Sequence, residues 1–217
     1  LVLSMPEVAT FPLAIIAILV ALTVHEWAHA FIAWKLGDDT ARWAGRMTLN
    51  PLAHLDAVGA ILFLLVGFGW AKPVPVDSRN FRHPVRDNAL VAVAGPASNV
   101  VVAFIAAVGI VLLGMAPSMQ GVAWMMLRSI LELSVRFNLA LFAFNLLPIP
   151  PLDGSNIIRA LLPWRMRERY EDLAQYGMWI LLGVILAESV FNIPLISGWV
   201  NVIVRMTIAL FAVILPF

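Results

Sequence analysis

Four stretches of this chain are close to the roughly 20 mostly apolar residues that a helix needs to cross a bilayer core about 30 Å thick. They run from about Phe11 to Trp34, Ala89 to Met115, Ile130 to Leu147 and Leu195 to Phe217. A fifth, about Leu173 to Val190, is shorter but free of charge until Glu188. The stretch from Ala57 to Trp70 is different: about 14 residues long, carrying Gly59, Gly67 and Gly69 and preceded by Asp56. That length predicts a re-entrant or interfacial hairpin, not a span. The expected fold is an all-α polytopic membrane protein with about five transmembrane helices and a hairpin between the first two.

Composition agrees. The chain is 62% hydrophobic and 12% charged, with a mean hydropathy of +0.92, whereas a soluble domain is about half apolar and about a quarter charged. This excludes an ordinary cytosolic domain and a disordered chain. A net charge of +1 leaves no electrostatic footprint for nucleic acid. Zero cysteines exclude disulfides, thiolate zinc sites and a cysteine nucleophile. No basic region precedes Phe11, Glu7 being the one charge there, so no signal peptide is expected, and the first residue, a leucine, leaves room for a start further upstream. Without repeats or a long polar stretch, residues 1–217 read as one transmembrane domain. Its catalytic core covers about 11–158, and additional C-terminal helices cover about 173–217.

The first span carries His25-Glu26-Trp27-Ala28-His29, an H-E-x-x-H pattern. Helical positions i and i+4 share a face, so both imidazoles can reach one zinc ion. Glu26 lies one residue on, placed to reach a zinc-bound water whose pKa the metal lowers to about 7, and to take its proton as it attacks a carbonyl. Two histidines and an acid satisfied locally would be the bland alternative. Ionisable groups inside a lipid-facing helix are costly, however, and usually functional.

Catalytic zinc generally takes three protein ligands. The remaining candidates are His54, His83, Asp56, Asp77, Asp87, Asp153 and Glu188. Asp153 stands out, following Asn145-Leu-Leu-Pro148-Ile-Pro150-Pro151-Leu152 at the end of an apolar run. Those prolines cannot continue a helix, and broken backbone at membrane depth is tolerated only in a cavity lining or inside protein. A proline-terminated span with an interfacial aspartate remains the structural alternative.

These motifs together resemble the site-2 protease family of intramembrane zinc metalloproteases, peptidase family M50. The likeness rests on His25-Glu-Trp-Ala-His29, Asn145-x-x-Pro148 and Leu152-Asp153-Gly154. It extends through Gly45 to Asp56, Trp70 to Val76 and Ala94 to Asn99, covering about Thr23 to Ile158, and is closest to the short form without a PDZ or CBS domain. The resemblance implies one zinc ion on His25, His29 and Asp153, Glu26 as general base and Asn145 near the oxyanion. It also implies transmembrane helices of other membrane proteins as substrates.

Ligands on one metal must lie near the same side of the bilayer. With the hairpin not counted as a span, one crossing separates the first span from that of Asp153, as the zinc reading requires. The metal-motif side then collects Lys35, Arg42, Arg46, Lys72, Arg79, Arg82, Arg86, Arg159, Arg165, Arg167 and Arg169, against Arg128 and Arg136 opposite. By the positive-inside rule this places the N-terminus outside and the site toward the cytoplasmic face of a prokaryotic cell membrane.

Other positions stay open between two roles. Asn145 could donate to an oxyanion or bond between helices. Asn50 and His54, flanking Pro51, could line the active-site cavity or be satisfied structurally. Asn99 could bind backbone across a helix interface or face a substrate strand. Lys72-Pro73-Val74-Pro75-Val76 is extended by its prolines, so Val74 and Val76 could pair with an unwound substrate. Trp164 to Tyr170 reads as an interfacial segment. Arg205 is the odd residue of the last span, with Glu188 a possible partner. The expected function is an intramembrane zinc endopeptidase. A zinc hydrolase acting on a lipid amide and a metal-ion transporter are the rivals, and Glu26→Gln discriminates them.

Overall fold

The computed structural model describes residues 11–59, 61, 69–115 and 121–215, and among them every regular element is helical. Helix α1 (Phe11–Lys35) carries no charge before Glu26, and its buried face is largely alanine: Ala14, Ala17, Ala21, Ala28, Ala30 and Ala33. Small side chains let neighbouring helices approach closely where no hydrophobic force drives them together. A single turn, α2 (Thr40–Trp43), follows. Helix α3 (Pro84–Gly114) begins before the apolar run at Ala89 because its polar first turn is well built. Pro84 sits where a missing N–H costs nothing, and the Asp87 carboxylate accepts the His83 N–H at 3.0 Å. Helix α4 (Val122–Asn145) likewise starts ahead of the expected Ile130, its exposed outer turns carrying the Arg128–Glu132 pair at 2.8 Å.

Four further helices complete the described chain: α5 (Asp153–Leu161), α6 (Trp164–Ala174), α7 (Gly177–Phe191) and α8 (Ile196–Ile214). The stretch from Trp164 to Tyr170 lies in α6. Helices α1, α3 and α8 are long and apolar enough to cross a membrane, and α6 with α7, bent by 69° at their junction, would make a fourth, broken span. Helix α4 carries Arg128, Glu132 and Arg136, and α7 is 15 residues long, about 22 Å at 1.5 Å per residue.

Helix α3 lies against both α1 and α4, α5 docks on α3, and α8 docks on α4. Ala103, Ala107, Leu139 and Phe211 form the core where α3, α4 and α8 meet. Ala33, Phe81 and Val91 form another where the loop before α3 folds onto α1.

The hairpin expected over Ala57–Trp70 lies largely outside the described residues, but its two ends do not. Leu55 and Ala71 form an antiparallel bridge, and Lys72 N–H donates to the His54 carbonyl at 2.9 Å. The chain returns beside the point where it left.

The extended segment that follows is held along its length. Arg46 donates to the Lys72 carbonyl, Glu26 accepts from Val74 N–H at 3.0 Å, and Asp38 accepts from Asp77 N–H at 2.9 Å. Asp38 is fully buried, and it also accepts from Thr40 N–H at 3.1 Å and from the Asn80 amide at 2.7 Å. Burial pushes its carboxyl up, but donation from the Thr40 hydroxyl, Asn80 and the backbone outweighs this and holds it below the usual carboxylate value.

Candidate active site

Asp153 reaches the first span because of how α4 ends. Leu146 caps α4, the Pro148–Pro151 stretch breaks the helix, and α5 starts afresh at Asp153. Gly154 then passes so close to the end of α4 that a Cβ there would lie 2.4 Å from the carbonyl oxygens of Leu146 and Leu147. This contact presses the α5 N-terminus against the bundle and turns the carboxylate inward.

His25, His29 and Asp153 converge. The Nε2 atoms of the two histidines lie 3.0 Å apart. The Asp153 oxygens are 3.2 Å from His25 Nε2 and 3.4 Å from His29 Nε2. Both histidines are buried. The far sides of the two rings decide what this cluster can hold. His29 Nδ1 faces the Val91 carbonyl at 2.7 Å, a group that only accepts, so Nδ1 carries the proton. His25 Nδ1 faces Asn99 Oδ1 at 2.7 Å. The orientation of that amide is fixed from behind, since Asn99 Nδ2 donates to the Ala21 carbonyl at 3.1 Å and to Asn138 Oδ1 at 2.9 Å. His25 Nδ1 is therefore a donor too.

With both Nδ1 protons committed, the rings in their neutral form point two Nε2 lone pairs at a carboxylate. Three acceptors meet without a donor between them, and buried Asp153 Oδ2 has no hydrogen-bond partner. Converging buried acceptors are costly unless a cation joins them, and nitrogen–oxygen donor sets of this kind suit zinc. The three ligand atoms all lie within 4.8 Å of one another, so the group could hold one metal ion. Histidines that ligate metals commonly donate their other N–H to a carbonyl or carboxylate, which fixes the ring and its basicity. Here Val91 and Asn99 accept those protons.

Helix α3 supplies both acceptors and also the room. A Cβ on Gly95 would lie 2.4 Å from His29 Nε2 and 2.6 Å from His25 Cε1. One residue on, Pro96 has no N–H for the Ala92 carbonyl, which loosens the helical ladder beside the histidines.

The cluster opens into a cavity of about 370 Å³, lined by Glu26, Val74, Val76, Asn88, Asn145 and Asn156 together with the three converging residues. Glu26 lies on the wall with Oε2 occupied by Val74 N–H. Asn145 lines it too, with its amide donating to the Leu141 carbonyl at 3.0 Å. Of the other sequence candidates, Val74 and Val76 reach the cavity, whereas Asn50, His54 and Asn99 are not in its lining. Asn50 Oδ1 accepts Leu52 N–H at 3.1 Å and caps a 3-10 turn over Pro51–Ala53. His54 is buried and bonded to the Thr48 carbonyl at 2.8 Å. Asn99 is buried behind His25 and not open to a substrate strand. Asn88 and Asn156 were not anticipated. The signal for Asn156 was available, since it lies three residues beyond Asp153 on the same helix. Asn88 carried none.

A family model for Peptidase family M50 matches residues 112–187. "Putative zinc metalloprotease YwhC" of Bacillus subtilis (strain 168) is 45% identical over 173 residues, covering 79% of this chain and 78% of that protein. "Putative zinc metalloprotease Rip2" of Mycolicibacterium smegmatis is 29% identical over 197 residues, covering 88% of this chain and 71% of its own length. "Putative zinc metalloprotease MJ0611" of Methanocaldococcus jannaschii is 28% identical over 155 residues, covering 70% and 72%. No solved structure gives a significant match. With a bilayer-length apolar scaffold around a group fit for one metal ion, and a relative this similar over most of both chains, the chain belongs to peptidase family M50 and is a membrane zinc metalloprotease.

Proposed function

We propose that this chain is an intramembrane endopeptidase that cleaves transmembrane segments of other membrane proteins. His25, His29 and Asp153 would hold one zinc ion, and Glu26 would serve as general base. The observation that carries the reading is the convergence of three buried acceptors beside Glu26, at the wall of a cavity between apolar helices. Zinc bound there would supply Lewis-acid polarisation of a carbonyl and a water acidic enough to ionise near neutral pH.

The chain's own residues would do the rest. Glu26 takes a proton from the attacking water and passes it to the leaving amine nitrogen. Asn145, on the cavity wall, donates its amide toward the oxygen on which charge develops. Pro73, Val74 and Val76, in an extended segment, line one side of the cavity. A helical substrate must unwind before its amides can be reached, and an extended backbone beside the site suits strand-like pairing with it.

The side-by-side ends of the Ala57–Trp70 stretch favour the hairpin reading. With it come five spans, an outside N-terminus and a site toward the cytoplasmic face of a prokaryotic cell membrane. Residues 1–217 would act as a single domain, with its core over about 11–158.

The test is cleavage of single-span peptides by purified protein in detergent, with wild type and Glu26→Gln side by side. Wild type should cleave, and the variant should retain zinc without cleaving. Undiminished cleavage by Glu26→Gln would end the mechanism. Zinc uptake into liposomes by both proteins would instead favour transport.

A further inference from the structure

Helix α8 holds a charge that the other described residues do not explain. Its 19 residues extend about 28 Å, close to the thickness of the hydrocarbon core. Arg205 stands at the middle, about 14 Å from either end, and an arginine side chain covers only about half that distance when it snorkels toward the interface. Ionisable residues at such a depth almost always face the bundle interior or a polar cavity, or pair with an opposite charge. Arg205 does none of these among the described residues. Val200 and Phe211 mark the buried face of α8, packed against its neighbours. Arg205 is exposed beside Val202, Met206 and Val213 on the outer side, with Asn201 exposed one turn before it. No hydrogen bond or ion pair reaches its guanidinium there. Glu188 is engaged elsewhere, accepting the N–H groups of Ile196 at 2.7 Å and Ser197 at 3.1 Å at the start of α8.

We infer that Arg205 and Asn201 form an intramembrane docking site for a transmembrane helix of another protein that carries a carboxylate at mid-membrane depth. Charge complementarity selects the occupant: a guanidinium with a carboxamide one turn away offers a carboxylate several donors on one helix face. A second copy of this chain does not supply that group among its described residues. Glu26 lies inside the site, Glu132 pairs with Arg128, and Glu188 caps α8. The inference rests on α8 alone and stands apart from the peptidase reading.

The experiment is energy transfer between the labelled zinc-loaded protein and labelled single-span peptides in phosphatidylcholine vesicles. The peptides carry glutamate, leucine or lysine at the central position. The glutamate peptide should associate with wild type at least about ten-fold more tightly than the leucine peptide. Arg205→Gln should erase that preference, Arg205→Lys should keep part of it, and Arg205→Glu should transfer it to the lysine peptide. Zinc content and helical circular dichroism check that each variant is folded, and the wild-type comparison of peptides needs no variant at all. Equal binding of glutamate and leucine peptides by wild type would overturn the inference. So would a preference unchanged in Arg205→Gln, Arg205-dependent self-association without peptide selectivity, or an Arg205 effect that appears only with anionic lipid.

Discussion

The two walls of the cavity are built in different ways. One is helical: His25, Glu26 and His29 on α1, Asp153 at the start of α5, and α3 behind them with Gly95, Val91 and Asn99. Its geometry comes from helical period and close packing, and each histidine proton has a fixed acceptor. The other wall, from Lys72 to Val76, has no regular structure. It is held by hydrogen bonds to residues far away in sequence: Arg46, His54, Glu26 and Asp38. The helical wall groups the three residues that could hold one metal ion, and the extended wall closes the opposite side of the cavity. They meet at one hydrogen bond, from Val74 N–H to Glu26.

The largest expected effect lies on the helical wall. Glu26→Gln should lower kcat by at least about 100-fold while leaving one zinc per chain, measured by peptide cleavage alongside metal analysis. Gly95→Ala comes next. Its methyl group would collide with both imidazoles, with a helix backbone behind it that cannot retreat, so the purified variant should contain less than about a tenth of the wild-type zinc. Its helical circular dichroism should stay near wild type. Asn99→Leu leaves the space but removes the acceptor behind His25, and competition with a chelator should show zinc affinity weakened by about 10- to 100-fold.

Effects on the extended wall should be smaller and should spare the metal. Val74→Pro removes the N–H given to Glu26 and should reduce cleavage about ten-fold, with zinc content unchanged, whereas Val74→Ala keeps the amide and should stay near wild type. If Val74→Pro lost zinc instead, the two walls would not be separable.

The smallest effect concerns the anchor of that wall. Asp38 has a folded-state pKa below its ordinary value of 3.8, so its stabilisation is present above that value and lost as the pH falls through the depressed one. Asp38→Asn should therefore cost about 2 kcal/mol at neutral pH. It should also flatten the acid side of the thermal-midpoint profile below about pH 4.

This contrast also explains what could be read in advance. His25, Glu26 and His29 are legible because helical spacing alone puts them together, and Asp153 because prolines mark the break that brings it inward. Asn99 was visible as a buried polar residue, but its acceptor role depends on α3 crossing α1 at one register, which no local pattern encodes. Asp38 and Arg46 were invisible for the same reason. Each acts on a segment about 26 to 39 residues away in sequence, and hydrogen bonds over such separations leave no periodicity. The helices themselves followed their apolar runs with three exceptions: a polar first turn extended α3, the turns from Val122 to Arg128 extended α4, and the run from Leu173 to Val190 is broken between α6 and α7.

The proposed mechanism requires one zinc ion held by two imidazoles and the Asp153 carboxylate, with Glu26 outside the coordination. X-ray absorption at the zinc edge of the purified holoprotein tests this directly. The expected result is one zinc per chain, a nearest shell of nitrogen and oxygen, and outer-shell scattering from two imidazole rings. That spectrum should be unchanged in Glu26→Gln, and the metal should be lost in Asp153→Ala. Full zinc occupancy in Asp153→Ala, or a spectrum without imidazole scattering, would contradict it.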